Sequence, residues 1–454
     1  MSDKLIIYEL NELPKKLLNY YIKIKPNSNL SQLKKNGIYL DTYTTDSGEL
    51  HPWTTWPTFY RGVDNKLHKI TSLNQDREYE NIYPPIWKIL LKKNKTIGIF
   101  GSLQSYPPII HEGVKFYLPD TFSPTHNAYP KNLETFQKFN LKMVGNNSGE
   151  IKSIRKIEIK YFFDCIFNSN IRINSLLSLI IHMILEKINP KFKRRRSLLQ
   201  PKLSFDIYLR YLNQHKPDFS TFFTNHLAGM MHYYWLDIFP KDFINPYRNP
   251  NIFNKKSVLK ALDIADKQIG ILMNFAQSNS YELWVASSMG QAGIEREKSE
   301  RIFLRDFSKI LKNLGLNINS YKILPSMYPD INIESNTENN LEILISKFLE
   351  IKLLDSQKNI FKIRYKNSSK KVNLIFNSPL NKENFLIHKN IKFRISDFGL
   401  GYGSIEQGTG YHIPEGVLLT QGKNSKNIFE KFTKIDTKNI FQSILRIFEL
   451  KKLN

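Results

Sequence analysis

The run Gly48-Glu49-Leu50-His51-Pro52-Trp53-Thr54-Thr55-Trp56-Pro57, continuing to Arg61-Gly62, gathers the groups a phosphoryl or acyl transfer would need. A threonine hydroxyl is a weak nucleophile at its own pKa and attacks only when a base or a cation activates it. Glu49 and His51, just ahead of Thr55, could supply acid/base function. Arg61 offers a planar fork that matches phosphate oxygens, which makes it a candidate substrate clamp. Plainer roles stand beside these: Glu49 and His51 tying down a loop, Arg61 pairing with a carboxylate.

Three further clusters carry polar groups that can ligate or polarise. Glu9-Leu10-Asn11-Glu12 follows an apolar run, Thr224-Asn225-His226 is followed by His232, and Gly408-Thr409-Gly410-Tyr411-His412 precedes Pro414-Glu415-Gly416. His226, His232 and His412 are the histidines these clusters carry, and imidazole is an ordinary zinc ligand, so a shared site is open to them. Against it, His226 and His232 lie six apart, a poor spacing for one helical face. One of them then reads as a hydrogen-bonded core histidine. A fourth cluster, Ser287-Ser288-Met289-Gly290-Gln291, holds no obvious ligand.

These clusters sit at the ends of short apolar runs that alternate with helical patterns, the signature of an α/β protein whose mostly parallel central sheet has helices on both faces. Strands are expected at Lys4–Glu9, Ile38–Thr42, Thr96–Phe100, Phe219–Thr224, Glu282–Ala286 and Val417–Thr420. Helices are expected at Pro14–Ile24, Pro84–Lys93, Ser257–Ala276 (capped by Ser257) and Thr437–Leu450. The whole chain, 1–454, reads as one domain with two elaborations: a helical, basic insertion over 150–215 and an irregular insertion over 305–400. In such sheets functional groups collect at the carboxyl ends of the strands, which is where the clusters at Glu9, Gly48, Thr224 and Ser287 fall, while the Gly408 segment precedes the last strand.

In this order, the clusters resemble the alkaline phosphatase superfamily, in particular its type I phosphodiesterase/nucleotide pyrophosphatase branch. That branch has a Leu-Asp-Gly-like turn supplying a metal ligand, then a Thr-aromatic-Pro motif with a glycine soon after. Thr55-Trp56-Pro57 with Gly62 matches the motif, and Leu262-Asp263 with Gly270 looks like the helix the branch places before its next core strand. The resemblance covers roughly 1–120, 215–300 and 400–450. It implies an alkaline phosphatase-like core, a small phosphorylated substrate and Thr55 as nucleophile at a helix amino terminus, where backbone N–H groups favour a phosphoryl oxygen.

The departures bear on the metals. Asn11 stands where the family has its first Asp ligand and offers only a neutral carbonyl oxygen, to metal or substrate; Glu9 or Glu12 could compensate. The family's Asp-xxx-His pair falls on Ala228 and His232, and its Ser-Asp-His-Gly on Ser287-Ser288-Met289-Gly290. A two-metal mechanism, with cations about 3.5–4 Å apart, therefore lacks ligands. One divalent cation, zinc or manganese, remains open, with His226, His232, His412 and Asn11 as candidate ligands. The implied function is a divergent phosphodiesterase-like hydrolase or phospho-group transferase acting on a small anionic ester, such as a nucleotide-linked or polysaccharide precursor. The alternative is a catalytically silent relative that binds a phosphorylated ligand or partner.

Composition narrows the classes. With 454 residues, 41% hydrophobic and 13% aromatic, the chain can build a large core, which excludes wholesale disorder; one cysteine, Cys165, excludes a disulfide framework. The formal charge of +25 invites a polyanion-binding reading. The joint richness in Lys, Asn and Ile gives a blander account, an AT-rich coding bias with lysines scattered on solvated faces, and no specific nucleic-acid partner is expected. The amino terminus does not read as a signal peptide, so a cytoplasmic location is expected. Within Ile171–Asn189, the residues Ile173, Leu176, Leu177, Ile180, Ile184 and Ile188 share one helical face, and the basic run Lys191–Arg196 follows. The preferred reading is a buried cap helix ending in a solvated basic loop. The alternative is a peripheral contact of 171–196 with an anionic membrane.

Overall fold

The computed structural model describes residues 4–144, 171–295, 301–327, 330–366, 368–377, 380, 383–403 and 408–450. Cys165 and most of the segment before Ile171 lie outside them.

Eight strands form the central sheet: β1 (Leu5–Leu10), β2 (Ile38–Tyr43), β3 (Ile97–Phe100), β4 (Val114–Leu118), β5 (Phe219–Thr224), β6 (Glu282–Ala286), and two late strands, Glu415–Gln421 and Lys434–Asp436. From one edge the order is Lys434–Asp436, β2, Glu415–Gln421, β6, β1, β5, β3, β4. Seven strands run the same way, and only Glu415–Gln421 is antiparallel to its neighbours β6 and β2. β1 lies at the centre and is buried along its whole length. Its sequence is accordingly apolar on both faces, as a doubly covered parallel strand requires. Ile6, Tyr8 and Leu10 pack into one hydrophobic layer and Leu5 and Ile7 into the other.

The expected strands and helices are present, with shifted ends. The helix expected from Ser257 begins a turn earlier, at Ile252, and runs to Asn279. Its cap is Asn251, whose side chain accepts from the Phe253 N–H; Ser257 is buried inside the helix, donating to the Phe253 carbonyl. The Thr55-Trp56-Pro57 segment itself is helical, over Pro52–Arg61, with Pro52 in the first turn and Gly62 closing the helix at φ 71°.

The stretch read as irregular is built of strands: β7 (Gly290–Gly293) and β8 (Arg301–Leu304) precede it, within it lie β9 (Tyr321–Leu324), β10 (Ile331–Ser335), β11 (Lys352–Leu353), β12 (Phe361–Tyr365), β13 (Lys371–Phe376), β14 (Phe385–His388) and β15 (Ile391–Arg394), and β16 (Leu400–Gly403) begins at its end. They form a four-stranded sheet, a three-stranded sheet and a two-stranded ribbon, around their own hydrophobic cluster with the helix Glu338–Leu349. The chain then returns as β17 (Gly410–Ile413), paired antiparallel with β7, and enters the central sheet as β18 (Glu415–Gln421), with β19 (Lys434–Asp436) last.

The helix Ile173–Ile188 corrects the preferred reading of that segment. It does not bury its apolar stripe: Ile173, Leu177, Ile180, Ile181, Ile184 and Ile188 are exposed, and His182 is buried.

Candidate active site

The carboxyl ends of β1, β5, β6 and β2 open on one edge of the sheet, and β18, being antiparallel, brings its beginning to the same edge. Five distant segments therefore meet there. β1 delivers Asn11 and Glu12, β5 delivers Asn225 and His226, β6 delivers Ser287 and Ser288, the β2 loop delivers Glu49 to Thr55, and β17 delivers His412.

Glu12 is the centre of the cluster. It is buried, at φ 62°, a left-handed conformation that a glutamate adopts only when its surroundings hold it there. Asn11 Nδ2 donates to Oε1 at 2.8 Å and Gln291 Nε2 donates to Oε2. Two imidazoles face the same Oε2, His232 Nε2 at 3.2 Å and His412 Nε2 at 3.5 Å. Burial alone would push the Glu12 carboxyl up, but His412 and His232 outweigh it and hold it well below the usual carboxylate range. Conversely, burial would lower His412, and the Glu12 carboxylate raises it above the ordinary histidine value.

His232 is fixed by a break in its own helix, His226–Ile238. Thr409 wedges into the turn after it. Thr409 N–H donates to the His232 carbonyl at 2.7 Å, and the Leu236 N–H, which would normally reach that carbonyl, donates to Thr409 Oγ1 at 3.1 Å. The helix is non-helical at Tyr234 as a result (φ −127°, ψ 21°). The same strand fixes the ring: His232 Nδ1 donates to the Gly410 carbonyl at 2.9 Å. A carbonyl only accepts, so Nδ1 carries a proton and Nε2 is the atom turned to Glu12. Gly410 permits this approach, since a Cβ there would lie 2.5 Å from the Met231 carbonyl oxygen.

Glu12, His232 and His412 can hold a cation: one donor atom from each lies within 4.8 Å of the others. Tetrahedral ligands about 2.0–2.2 Å from zinc stand about 3.3–3.5 Å apart, and the two carboxylate–imidazole separations above fit that spacing. The donor set also requires something positive. With Nδ1–H fixed on His232, its Nε2 lone pair would face a carboxylate lone pair unless a proton or a cation stands between them. The third ligand is thus a carboxylate rather than His226.

His226 is placed elsewhere. It is buried, Nε2 donates to the Ala261 carbonyl at 2.9 Å, and Nδ1 is paired with Thr224 Oγ1 at 2.6 Å. Both ring nitrogens are spent, and burial pushes its pKa down to about 4, so it is a neutral structural histidine. Asn11 is also committed. The Trp56 indole N–H, a donor only, fixes Oδ1 as its acceptor at 2.9 Å, and Nδ2 donates to Asn225 Oδ1 at 2.6 Å as well as to Glu12. The carbonyl oxygen that a cation or substrate would need faces Trp56; Asn11 orients Glu12 instead. Arg61 lies at the far end of the Thr55 helix, buried, bonded to Glu80 Oε2 at 2.7 Å and to the Tyr83 carbonyl. It is paired with a carboxylate, not turned to the site.

Thr55 is fully buried and its Oγ1 lies 2.7 Å from Ser288 Oγ. Its backbone N–H and that of Thr54 both donate to the His51 carbonyl, so the helix start offers the site its dipole more than free N–H groups. His51 stacks on Trp53 at 4.3 Å and meets the His412 ring edge-on at 5.7 Å. Glu49 pairs with His51 Nε2 at 3.8 Å and accepts from the Tyr411 hydroxyl; His51 first, and Tyr411 with it, hold the Glu49 carboxyl down at about 2 against the effect of burial. Glu9 turns to the opposite face of β1. It accepts from Tyr60 at 2.8 Å and Ser102 at 2.5 Å, and burial pushes it up to about 8.

No protein-family model matches the chain, and no curated protein matches it. Solved structures do, over nearly its whole length. Human ectonucleotide pyrophosphatase/phosphodiesterase 5 is 10% identical, with 99% of this chain and 96% of that one covered and a TM-score of 0.39. The murine protein of the same name gives 10%, 99%, 96% and 0.41. Alkaline phosphatase from the Antarctic bacterium TAB5 gives 10%, 99%, 99% and 0.40.

Proposed function

We propose that the chain is a phosphoester-processing enzyme, a hydrolase or phospho-group transferase, with Thr55 as nucleophile and a single divalent cation held by Glu12, His232 and His412. The observation that carries this reading is the convergence of a helix-start threonine and a Glu-His-His group on one edge of the sheet. The two are joined through Trp56, Asn11 and Glu12.

A cation at this site would act as a Lewis acid on a phosphoryl oxygen. The chain's own residues supply the rest. Glu12 is oriented by Asn11 and Gln291, and His232 Nε2 by the Gly410 carbonyl. The Thr55 hydroxyl is hydrogen-bonded to Ser288 at 2.7 Å, and when Thr55 is the donor its own lone pairs stay available for attack. Its oxygen forms the bond to phosphorus as the alcohol leaves with a proton. A water or an acceptor hydroxyl then breaks the threonyl–phosphorus bond. The rim pair Glu49–His51 is the acid/base candidate for these proton transfers. Ser288 and Met289, both buried, replace the ligands of a second metal, which favours one cation over two. The substrate we infer is a small anionic ester, nucleotide-linked or a polysaccharide precursor, handled in the cytoplasm.

The burial of Thr55 and its bond to Ser288 favour a second reading, a protein that binds a phosphorylated ligand without turning it over. The test is metal analysis with turnover of a chromogenic phosphodiester, with and without added acceptor alcohols. The enzyme reading expects about one cation per chain, a phosphothreonine at Thr55 on acid quench, and loss of turnover in Thr55→Ala. A chain that retains phosphorylated ligands yet never turns over, with or without acceptors, would establish the second reading.

A further inference from the structure

The helix Ile173–Ile188 is apolar nearly all round: Leu176, Leu179 and Leu185 are half-buried, yet a whole apolar face remains uncovered. Soluble helices bury their apolar stripe and show the polar one. Here Ser175, His182 and Glu186 face the body of the protein: His182 is buried, its Nε2 lies 3.6 Å from Glu186 Oε2, and Arg196 pairs with Glu186. Ile173, Leu177, Ile180, Ile181, Met183, Ile184 and Ile188 point outward, each at least 45% exposed. A monomer rarely shows a contiguous apolar patch of this kind without a partner for it.

The surroundings state the partner's charge. Residues 171–202 carry eight Lys or Arg and one acid, Glu186, which faces inward and is neutralised by Arg196. Lys187 and Lys191 are exposed beside the stripe. Lys260 and Lys267 crowd Lys202 closely enough to lower its pKa, which burial lowers first. An apolar stripe flanked by cations is what an in-plane helix presents to anionic headgroups. No helix among the described residues is long and apolar enough to cross a membrane, so the fit is to lying on a bilayer, not spanning it.

We infer that the face formed by Ile173–Ile188 and the basic residues after it docks the protein on an anionic lipid surface. The basic run also touches the active-site helix, since the Arg194 guanidinium lies 4.1 Å from the centroid of the Tyr233 ring, next to His232. Docking therefore sets the candidate active site beside the bilayer.

The test is co-sedimentation of the full chain with vesicles of phosphatidylcholine alone or with about 30% phosphatidylserine, at low and high salt. Retention on the anionic vesicles is expected, reduced at least tenfold by high salt or by the absence of phosphatidylserine. Ile180→Glu with Ile184→Glu should reduce it at least tenfold, as should Lys187→Glu with Lys191→Glu, with unchanged melting temperatures because all four side chains are exposed. Ile181→Trp should blue-shift its emission on those vesicles only. No retention on anionic vesicles, or retention unaffected by either double substitution, overturns the inference. A self-association that Ile180→Glu with Ile184→Glu abolishes, without lipid binding, overturns it in favour of a second copy on this face. None of these outcomes depends on turnover or on the cation.

Discussion

Asn11 is where the site departs most tellingly from a carboxylate-rich one, and Asn11→Asp tests why. Its amide nitrogen lies 2.8 Å from Glu12 Oε1 and 2.6 Å from Asn225 Oδ1, both acceptors, in a fully buried position. Replacing that nitrogen by oxygen sets two carboxylates about as close as hydrogen-bonded atoms. At an effective dielectric of 20 their repulsion would be about 6 kcal/mol. A proton relieves it first. Taking one up at pH 7 onto a group with an ordinary pKa of about 3.9 costs about 4 kcal/mol, at about 1.4 kcal/mol per pH unit. The protonated oxygen then donates to Glu12, restoring one bond, so proton uptake caps the loss. The folded-state pKa of the new carboxyl is raised, so the penalty grows as pH rises: about 1–2 kcal/mol at pH 5 and about 3–4 kcal/mol at pH 7. Urea denaturation of both proteins, freed of metal by chelation, over pH 5–8 measures this directly. A difference that stays flat with pH, or below about 1 kcal/mol at pH 7, would refute the placement of Asn11 as the anchor of an ionised Glu12. So would a second bound cation in the variant that erases the penalty.

Glu9 gives the opposite experiment. Its pKa is raised from 4.5 to about 8 by burial, so the folded chain retains a proton there between those values at a cost that grows with pH. Glu9→Gln should stabilise the protein by about 2–3 kcal/mol at pH 7 and hardly at all at pH 4.5; thermal melts across that range would show a pH-independent offset if Glu9 were ionised instead. His226→Ala should destabilise by about 2–4 kcal/mol, from a cavity and two orphaned partners, Thr224 and the Ala261 carbonyl. Its cation content should be unchanged, and a variant that keeps its stability but loses the cation would restore His226 as a ligand. Finally, cation binding at pH 7 should release protons, because His412 is raised and must give up its proton to ligate. Calorimetry in buffers of different ionisation enthalpy reads the number released, and zero would exclude His412. Without cation, the Glu12–His412 pair stabilises most between the ordinary carboxylate and histidine values. That contribution fades below as Glu12 protonates and above as His412 loses its proton.

The strand pattern was legible because β1, β5 and β6 are buried on both faces and so read as unbroken apolar runs. Their carboxyl-end clusters marked the site for the same reason: polar residues follow such runs only where a ligand or a turn needs them. What the sequence could not show was direction. Glu12 was visible only as a substitute for Asn11, because nothing in the chain tells that a left-handed turn swings residue 12, not 11, toward His232. The six-residue gap between His226 and His232 was the one signal against a shared site, and it pointed the right way. Arg61 follows the nucleophile motif by six residues, which on a helix is the opposite end, but the helical state of a segment with Pro52 and Pro57 was not evident from pattern. The region 305–400 hid its strands because they are only two to six residues long, too short for alternation to stand out among Lys and Asn. Of the expected stripe in Ile173–Ile188, Leu176 packs against the core and the rest is exposed together with Ile181 and Met183, since periodicity alone does not tell what a face meets in a helix apolar nearly all round.

The strand order has a consequence for how the protein comes into being. β2 touches no early strand; its neighbours are β18 and β19, made more than 370 residues later. Until β18 slots in between β6 and β2, β2 has no place in the sheet, whereas the helix carrying Thr55 meets the β1 segment directly, through Trp56 to Asn11 and Tyr60 to Glu9. His412 arrives on the same return. Of the Glu12–His232–His412 group only His412 is thus made late, and β2 and β6 each keep an unpaired edge until β18 enters. A chain that stops before β17 would lack His412, and with it one of the three donors of the Glu12–His232–His412 group.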